Sequence, residues 1–195
     1  KSHFFSSSSI NLGLSGFDES KIDFDIQQTS SDNYLKSHNM SSPIINSLTT
    51  LKNLFSFTAS SEDVSLMANL EVYEDLSKDK NSDKFEYVPT YSFSKLLENS
   101  LPLKGIINFS SDGNRKLFNT NVLETTVVND LIFNSDSFFF NNGVENNYSV
   151  LMKNVLSNSN NSSTYKNEFD SKLYSQFVYQ SSYPLIKEGS KVDRI

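Results

Sequence analysis

The stretch VSLMANLEVYED, residues 64–75, puts Val64, Leu66, Ala68, Leu70 and Val72 on one side of an extended chain and Ser65, Asn69 and Glu71 on the other. Successive side chains of a β-strand point to opposite faces, so this two-residue period dictates a strand with one apolar and one polar face. The same period recurs along the chain. Ile10, Leu12 and Leu14 follow it, Ile22, Phe24 and Ile26 alternate with Asp23, Asp25 and Gln27, and Phe85, Tyr87, Tyr91 and Phe93 alternate with Glu86, Ser92 and Ser94. Looser versions run through Phe55, Phe57 and Ala59, through Leu103, Ile107 and Phe109, through Val127, Leu131 and Phe133, and through Leu173, Phe177 and Tyr179.

These patterns predict nine strands at 4–15, 21–29, 48–60, 63–74, 84–96, 102–110, 119–133, 138–153 and 169–185, forming an all-β, antiparallel, up-and-down meander. Pro89, inside the fifth, suits a bulge or an edge, because proline has no N–H to give a ladder. Residues 144–157 also fit a short helix, since Val150, Leu151 and Leu156 break the alternation.

The expected connections fall into two alternating kinds. GFDES, SSED, LENSL and NSDS are short, whereas 30–47, 75–83, 111–118 and 156–168 are longer and rich in Ser, Asn, Asp and Lys. In a meander, odd and even connections emerge at opposite ends of the sheet, so one end is trimmed and the other elaborated. Outer-membrane barrels have that pattern, with short periplasmic turns and long extracellular loops. Most expected strands also reach the ~9–11 residues that a tilted transmembrane strand needs. Phe4, Phe5, Tyr73, Phe85, Phe133, Phe138 and Tyr183 stand near strand ends, where interfacial aromatics sit. The sequence is therefore read as an internal fragment of a transmembrane β-barrel, spanning 1–195, with a signal peptide expected upstream.

Composition narrows the function. The net charge is −6, and a nucleic-acid partner needs clustered Lys and Arg to displace counterions, so that class is set aside. There are no cysteines, which rules out disulfides, thiolate zinc sites and a cysteine nucleophile in this chain. No apolar run approaches the ~18 residues of a membrane-spanning helix, a test that does not apply to strands.

Catalytic and metal-binding patterns are missing. His3 and His38 stand apart, one at a strand end and one in a loop, without the helical i, i+4 spacing of a zinc pair. Asp79, Asn81 and Asp83 match the first ligand spacings of a calcium loop, but Lys84 occupies the glycine position and Thr90 that of the bidentate glutamate, leaving a solvated hairpin loop. There is no nucleophile elbow and no phosphate-binding glycine loop. The reading is of a non-enzymatic protein without a cofactor. Asp23, Asp25, Asn69, Glu71 and Glu86 all fall on polar strand faces, which in a barrel line a wet lumen where charge is tolerated.

Five ordered segments carry a family resemblance: IDFDIQQTSSDNYLKSH, FTASSEDVSLMANLEVYEDL, KFEYVPTYSFSK, LKGIINFSSDGNRKLFNTNV and YQSSYPLIKE. They resemble successive pieces of the barrel of the LptD family of outer-membrane lipopolysaccharide-assembly proteins, in a divergent Lys- and Asn-rich branch. The most specific elements are Asp32-Asn33-Tyr34-Leu35-Lys36, the segment around Pro89, and Tyr183-Pro184-Leu185. The resemblance implies a large barrel of which these strands are a middle portion, a periplasmic domain upstream, transport of lipopolysaccharide into the outer leaflet, an LptE-like plug lipoprotein, periplasmic bridge proteins and a location in the outer membrane. It implies no catalytic residue. Asp32 and Lys36 would mark where the second strand leaves the membrane, with Tyr34 at the interface. The competing readings are a general porin, which shares the loop parity but not the motifs, and a soluble β-sandwich or adhesin-like module, whose apolar faces would pack on each other.

Overall fold

In the computed structural model, residues 2–39, 47–79, 81–100, 102–118 and 121–183 are described. Ten strands and two single-turn helices succeed one another as β1 (His3–Asn11), β2 (Glu19–Thr29), α1 (Tyr34–Ser37), β3 (Thr50–Ser60), β4 (Val64–Asp75), α2 (Asn81–Lys84), β5 (Phe85–Leu97), β6 (Gly105–Phe118), β7 (Val122–Ser135), β8 (Phe138–Phe139), β9 (Glu145–Asn160) and β10 (Asp170–Ser182). One antiparallel sheet contains them all in the order β1-β2-β3-β4-β5-β6-β7-β9-β10, with β8 hydrogen-bonded to β9. The expected meander is thus the fold, with the nine long strands in chain order. β1 and β10 are its two free edges, so the sheet is not closed into a barrel.

Register divides the side chains into two faces. Opposed pairs such as Phe24 and Phe55, Ala68 and Tyr91, Phe109 and Leu131, and Phe133 and Val150 share one face, which we term apolar. Asp23 and Ser56, Asn69 and Thr90, Asp112 and Val128, and Asp130 and Lys153 share the other, polar face. Among the described residues neither face is covered by a second layer, apart from the turn of α1 over Leu51. Extensive contacts run only between neighbouring strands, apart from α2 against β4 and β5. Among the described residues the buried hydrophobic side chains are Leu35, Leu51, Ala59 and Leu76, too few for the core of a domain this size. Large apolar residues remain exposed instead, among them Phe55, Leu70, Leu131, Met152 and Phe177. Aromatic contacts on this face run across strands, as with Phe24 and Phe55 or Phe93 and Phe109, and do not reach a second layer.

Several sequence-based boundaries are corrected. β1 ends at Asn11 and not at 15, and residues 12–18 turn the chain with Gly13 and Gly16 at positive φ. Residues 111–118, expected as a long loop, continue β6. Its polar run around Gly113 imitates a turn, but Ser111 and Gly113 find partners on the neighbouring strands. The eighth expected strand is displaced: only Phe138–Phe139 pairs in its first part, and β9 extends from Glu145 to Asn160. The helical alternative for 144–157 is therefore replaced by strand, because two ladders, to β7 and β10, hold that segment. Pro89 lies within β5 opposite Leu70 and not at a sheet edge. Residues 184 and 185, including Pro184, lie outside the described residues.

Loop parity is only half retained. At one end the connections are 12–18, 61–63, 98–104 and 136–144; at the other they are 30–49, 76–84, 119–121 and 161–169. The trimmed-versus-elaborated contrast is clear up to β5, then reverses where β6 and β7 meet through 119–121 and β7 reaches β9 through the segment holding β8.

Candidate functional site

The polar face is where charged chemistry collects. Asp23, Asp25, Asn69, Glu71 and Glu86 all project from it, since strict register across β2 to β5 puts them on the same side. Lys52 Nζ lies 2.7 Å from Glu71 Oε1, and Tyr73 donates to Glu71 Oε2 at 2.5 Å. Lys116 pairs with Glu86 at 2.8 Å and Lys153 with Asp130 at 3.0 Å, both across neighbouring strands. Lys21 approaches Asp23 at 3.5 Å and Lys172 approaches Asp170 at 3.5 Å, each along its own strand. Ser56 donates to Asn69 Oδ1 at 2.6 Å. Every ion pair formed between strand residues, among the described residues, is therefore on this face. Glu71, Tyr73, Glu86, Asn114, Lys116 and Phe118 line an open concavity of about 600 Å³ on it.

At the end of the sheet carrying the longer early loops, the motif around Asp32 is built into the structure. α1 turns residues 34–37 back so that Leu35 is fully buried against Leu51 and Leu76, with Phe5 and Tyr34 alongside. Where α1 leaves, the β2–β3 ladder stops at Asp25 and Leu54. Side chains take over from it: Gln27 N–H donates to Asn53 Oδ1 at 2.9 Å, and Lys52 N–H donates to Gln27 Oε1 at 3.0 Å. Asp32 accepts from Lys84 at 2.7 Å, and the same ammonium reaches Glu74 at 2.9 Å. One lysine thus ties the loop after β2 to the end of β4 and to α2. Its two carboxylate partners, Asp32 first, hold the Lys84 pKa above the usual lysine value.

Two sequence expectations change here. His3 and His38 do not stand apart, because α1 brings both to Tyr34. His3 Nδ1 and Tyr34 Oη share a 3.0 Å hydrogen bond, and the Tyr34 and His38 rings lie 4.6 Å apart. The segment 79–84 is not simply a solvated hairpin loop, since Lys84 is only 12% exposed and anchors the clamp. Lys36 is exposed in the last turn of α1, and Tyr183 is exposed just beyond β10.

The apolar face has its own pattern. Its strand-borne charges are Glu74, Lys95 and Arg115, each close to a strand end. Midway along β5, β6 and β7 a short uncharged ladder crosses it. Ser111 donates to Asn129 Oδ1 at 2.8 Å, and Tyr91 Oη lies 3.1 Å from Ser111 Oγ. Since serine has one hydroxyl proton, Tyr91 is the donor in the second bond. Polar groups in the middle of this face thus satisfy one another, which matters wherever water is absent.

Sequence reasoning found the polar-face carboxylates but missed Lys52, Lys116 and Lys153, whose partners are set by register across strands, and Lys84, which α2 carries to Asp32 and Glu74. No three histidine, aspartate or glutamate side chains converge into a metal-holding group among the described residues. The site offers paired charges along one face of the sheet and a lysine clamp at one end of it. Comparison of this chain with protein-family models, curated proteins and solved structures returns no match.

Proposed function

We propose that this sheet is a section of the wall of an outer-membrane β-barrel, with its apolar face towards lipid and its polar face towards a water-filled lumen. The observation that carries the reading is the partition of charge. All ion pairs between strand residues sit on one face, while the uncovered opposite face confines Glu74, Lys95 and Arg115 to strand ends. A charge on the lipid side costs about 2–4 kcal/mol at the bilayer midplane and ~0–1 kcal/mol near the interfaces, so this is the distribution a lipid-facing wall requires. Lys95 lies opposite Phe109, and Arg115 lies six residues further along β6, about 20 Å at ~3.3 Å per residue. The two cations bracket the central rows of the apolar face from opposite ends. A β-sandwich would instead bury this face under a second sheet.

The transported substrate we propose is lipopolysaccharide, moved without covalent chemistry to the outer leaflet with a plug lipoprotein as partner. This part rests on the ordered LptD-like motifs, of which Asp32, Tyr34 and Leu35 form the clamped rim.

The test uses thiols introduced into this chain, which has no cysteine of its own, with the protein lacking them as the labelling background. Single variants Leu70→Cys and Asn69→Cys, adjacent in β4 but on opposite faces, are probed in intact membranes with a water-soluble maleimide. Labelling of Asn69→Cys with protection of Leu70→Cys is expected, and equal labelling of both would sink the wall reading. Depletion of the protein is expected to lower surface lipopolysaccharide. Ion conductance with unchanged surface lipopolysaccharide would instead favour a general porin.

A further inference from the structure

Arg115 is exposed on the apolar face and has no ion-pair partner among the described residues, although every other strand-borne cation of β2 to β9 except Lys95 has one. Its surroundings are amphipathic in a directional way. Towards the strand end, Arg115, Leu123, Thr125, Asn158, Ser159 and Asn160 line a recess of about 300 Å³ that offers amide and hydroxyl groups. Towards the middle of the sheet, Arg115 also borders a recess of about 240 Å³ formed with Pro89, Tyr91, Gly113, Thr125 and Val127. This second recess is lined almost wholly by apolar surface, beside the Tyr91 ring that covers Gly113. Register explains the alignment: Arg115 opposes Thr125 and Thr125 opposes Asn158, with Gly113 and Val127 one row inward and Leu123 and Asn160 one row outward.

We propose that Arg115 anchors a site for a membrane lipid whose headgroup carries phosphate. The proposal rests on the lipid-facing reading of the apolar face. The guanidinium presents a planar fork of donors that matches phosphate oxygens in a bidentate arrangement, which a point-like ammonium does not. Three residues from the end of β6, about 10 Å along the strand, it lies at headgroup level. The outer recess takes the polar headgroup beside Asn158 and Thr125, and the inner recess takes the start of an acyl chain between the Tyr91 ring and Val127. Lys95 has the same charge on the same face at the opposite rim, and serves as the internal control.

The experiment uses the complete barrel protein that contains this wall, refolded into phosphatidylcholine vesicles with and without phosphatidylglycerol, followed by gentle detergent extraction and measurement of the phosphatidylglycerol retained per molecule. Wild type is expected to retain this lipid selectively. Arg115→Gln should lower retention about tenfold or more, the loss of a charge-assisted hydrogen-bonded pair, whereas Lys95→Gln should change it by no more than about twofold, as for an exposed charge. Asn158→Leu, which removes the polar lining and leaves the arginine, carries the same expectation as Arg115→Gln and covers the case in which that variant does not insert. Excess inorganic phosphate should not displace the lipid, since free phosphate makes no use of the inner recess. Unchanged retention in inserted Arg115→Gln or Asn158→Leu, or displacement by phosphate, overturns the lipid site alone. Failure of wild type to insert into either vesicle overturns the lipid-facing reading and the site together.

Discussion

The Tyr91 ring on β5 lies directly over Gly113 on β6, so closely that a Cβ at position 113 would clash with Tyr91 Cε1. The pairing keeps a polar, turn-like segment in the strand and places Tyr91 Oη beside Ser111. An aromatic side chain covering a cross-strand glycine is a known way of pinning register.

Gly113→Val should therefore destabilise the sheet by about 1–3 kcal/mol, the usual cost of overpacking. Tyr91→Ala combined with Gly113→Val should recover most of that loss by making room. Urea unfolding of the four proteins in detergent micelles measures the coupling, and additive single effects would show that the ring and the glycine do not interact.

Lys84→Met leaves Asp32 and Glu74 without their shared cation and should release the loop after β2 while the sheet persists. Protease cleavage within residues 30–49 is expected to accelerate, and Glu74→Gln should do less damage because Asp32 keeps its partner.

The same clamp has a defined pH dependence. Lys84 has a folded pKa above the ordinary lysine value of 10.5, raised first by Asp32 and then by Glu74. A raised pKa means the folded state holds its proton more tightly. The stabilisation is thus complete below 10.5 and disappears as pH rises through the folded pKa. Loop protection against hydrogen exchange, corrected for intrinsic rates, should stay level through neutral pH and fall only in strong alkali. In Lys84→Met that alkaline step should be missing.

Leu35→Ala removes a fully buried side chain from the Leu51–Leu76 cluster. Core truncations of leucine typically cost about 2–5 kcal/mol. The loss should here be confined to α1 and its loop, because the cluster lies at one end of the sheet. Circular dichroism should retain the β-signal while cleavage of the loop increases.

Leu70→Arg and Asn69→Arg differ by one position and by face. The first should impede insertion into vesicles, at a cost of about 2–4 kcal/mol if Leu70 sits near the midplane. The second should be tolerated among the polar-face groups. Insertion yield reports the difference, and equal yields would argue against a lipid-facing apolar side.

The alternation in 22–27, 64–72 and 85–94 was enough to assign the strands, the meander and the common face of Asp23, Asp25, Asn69, Glu71 and Glu86. A period of two survives without knowledge of any neighbour, because it follows from the pleat of one strand. The segments that misled were those whose structure depends on other strands. Ser111 and Gly113 look like a turn until Tyr91 and Asn129 are opposite them. Val150, Leu151 and Leu156 look helical until two ladders hold them extended.

By itself, then, the sequence determined that this chain forms two-faced antiparallel strands and which side chains each strand puts on its polar face. Only the tertiary structure decided register, and with it the cross-strand lysine partners of Glu71, Glu86 and Asp130, the burial of Leu35 and the surroundings of Arg115. The physical reason is range: side-chain alternation is a local consequence of backbone geometry, whereas an ion pair or a recess needs residues far apart in the chain brought opposite one another.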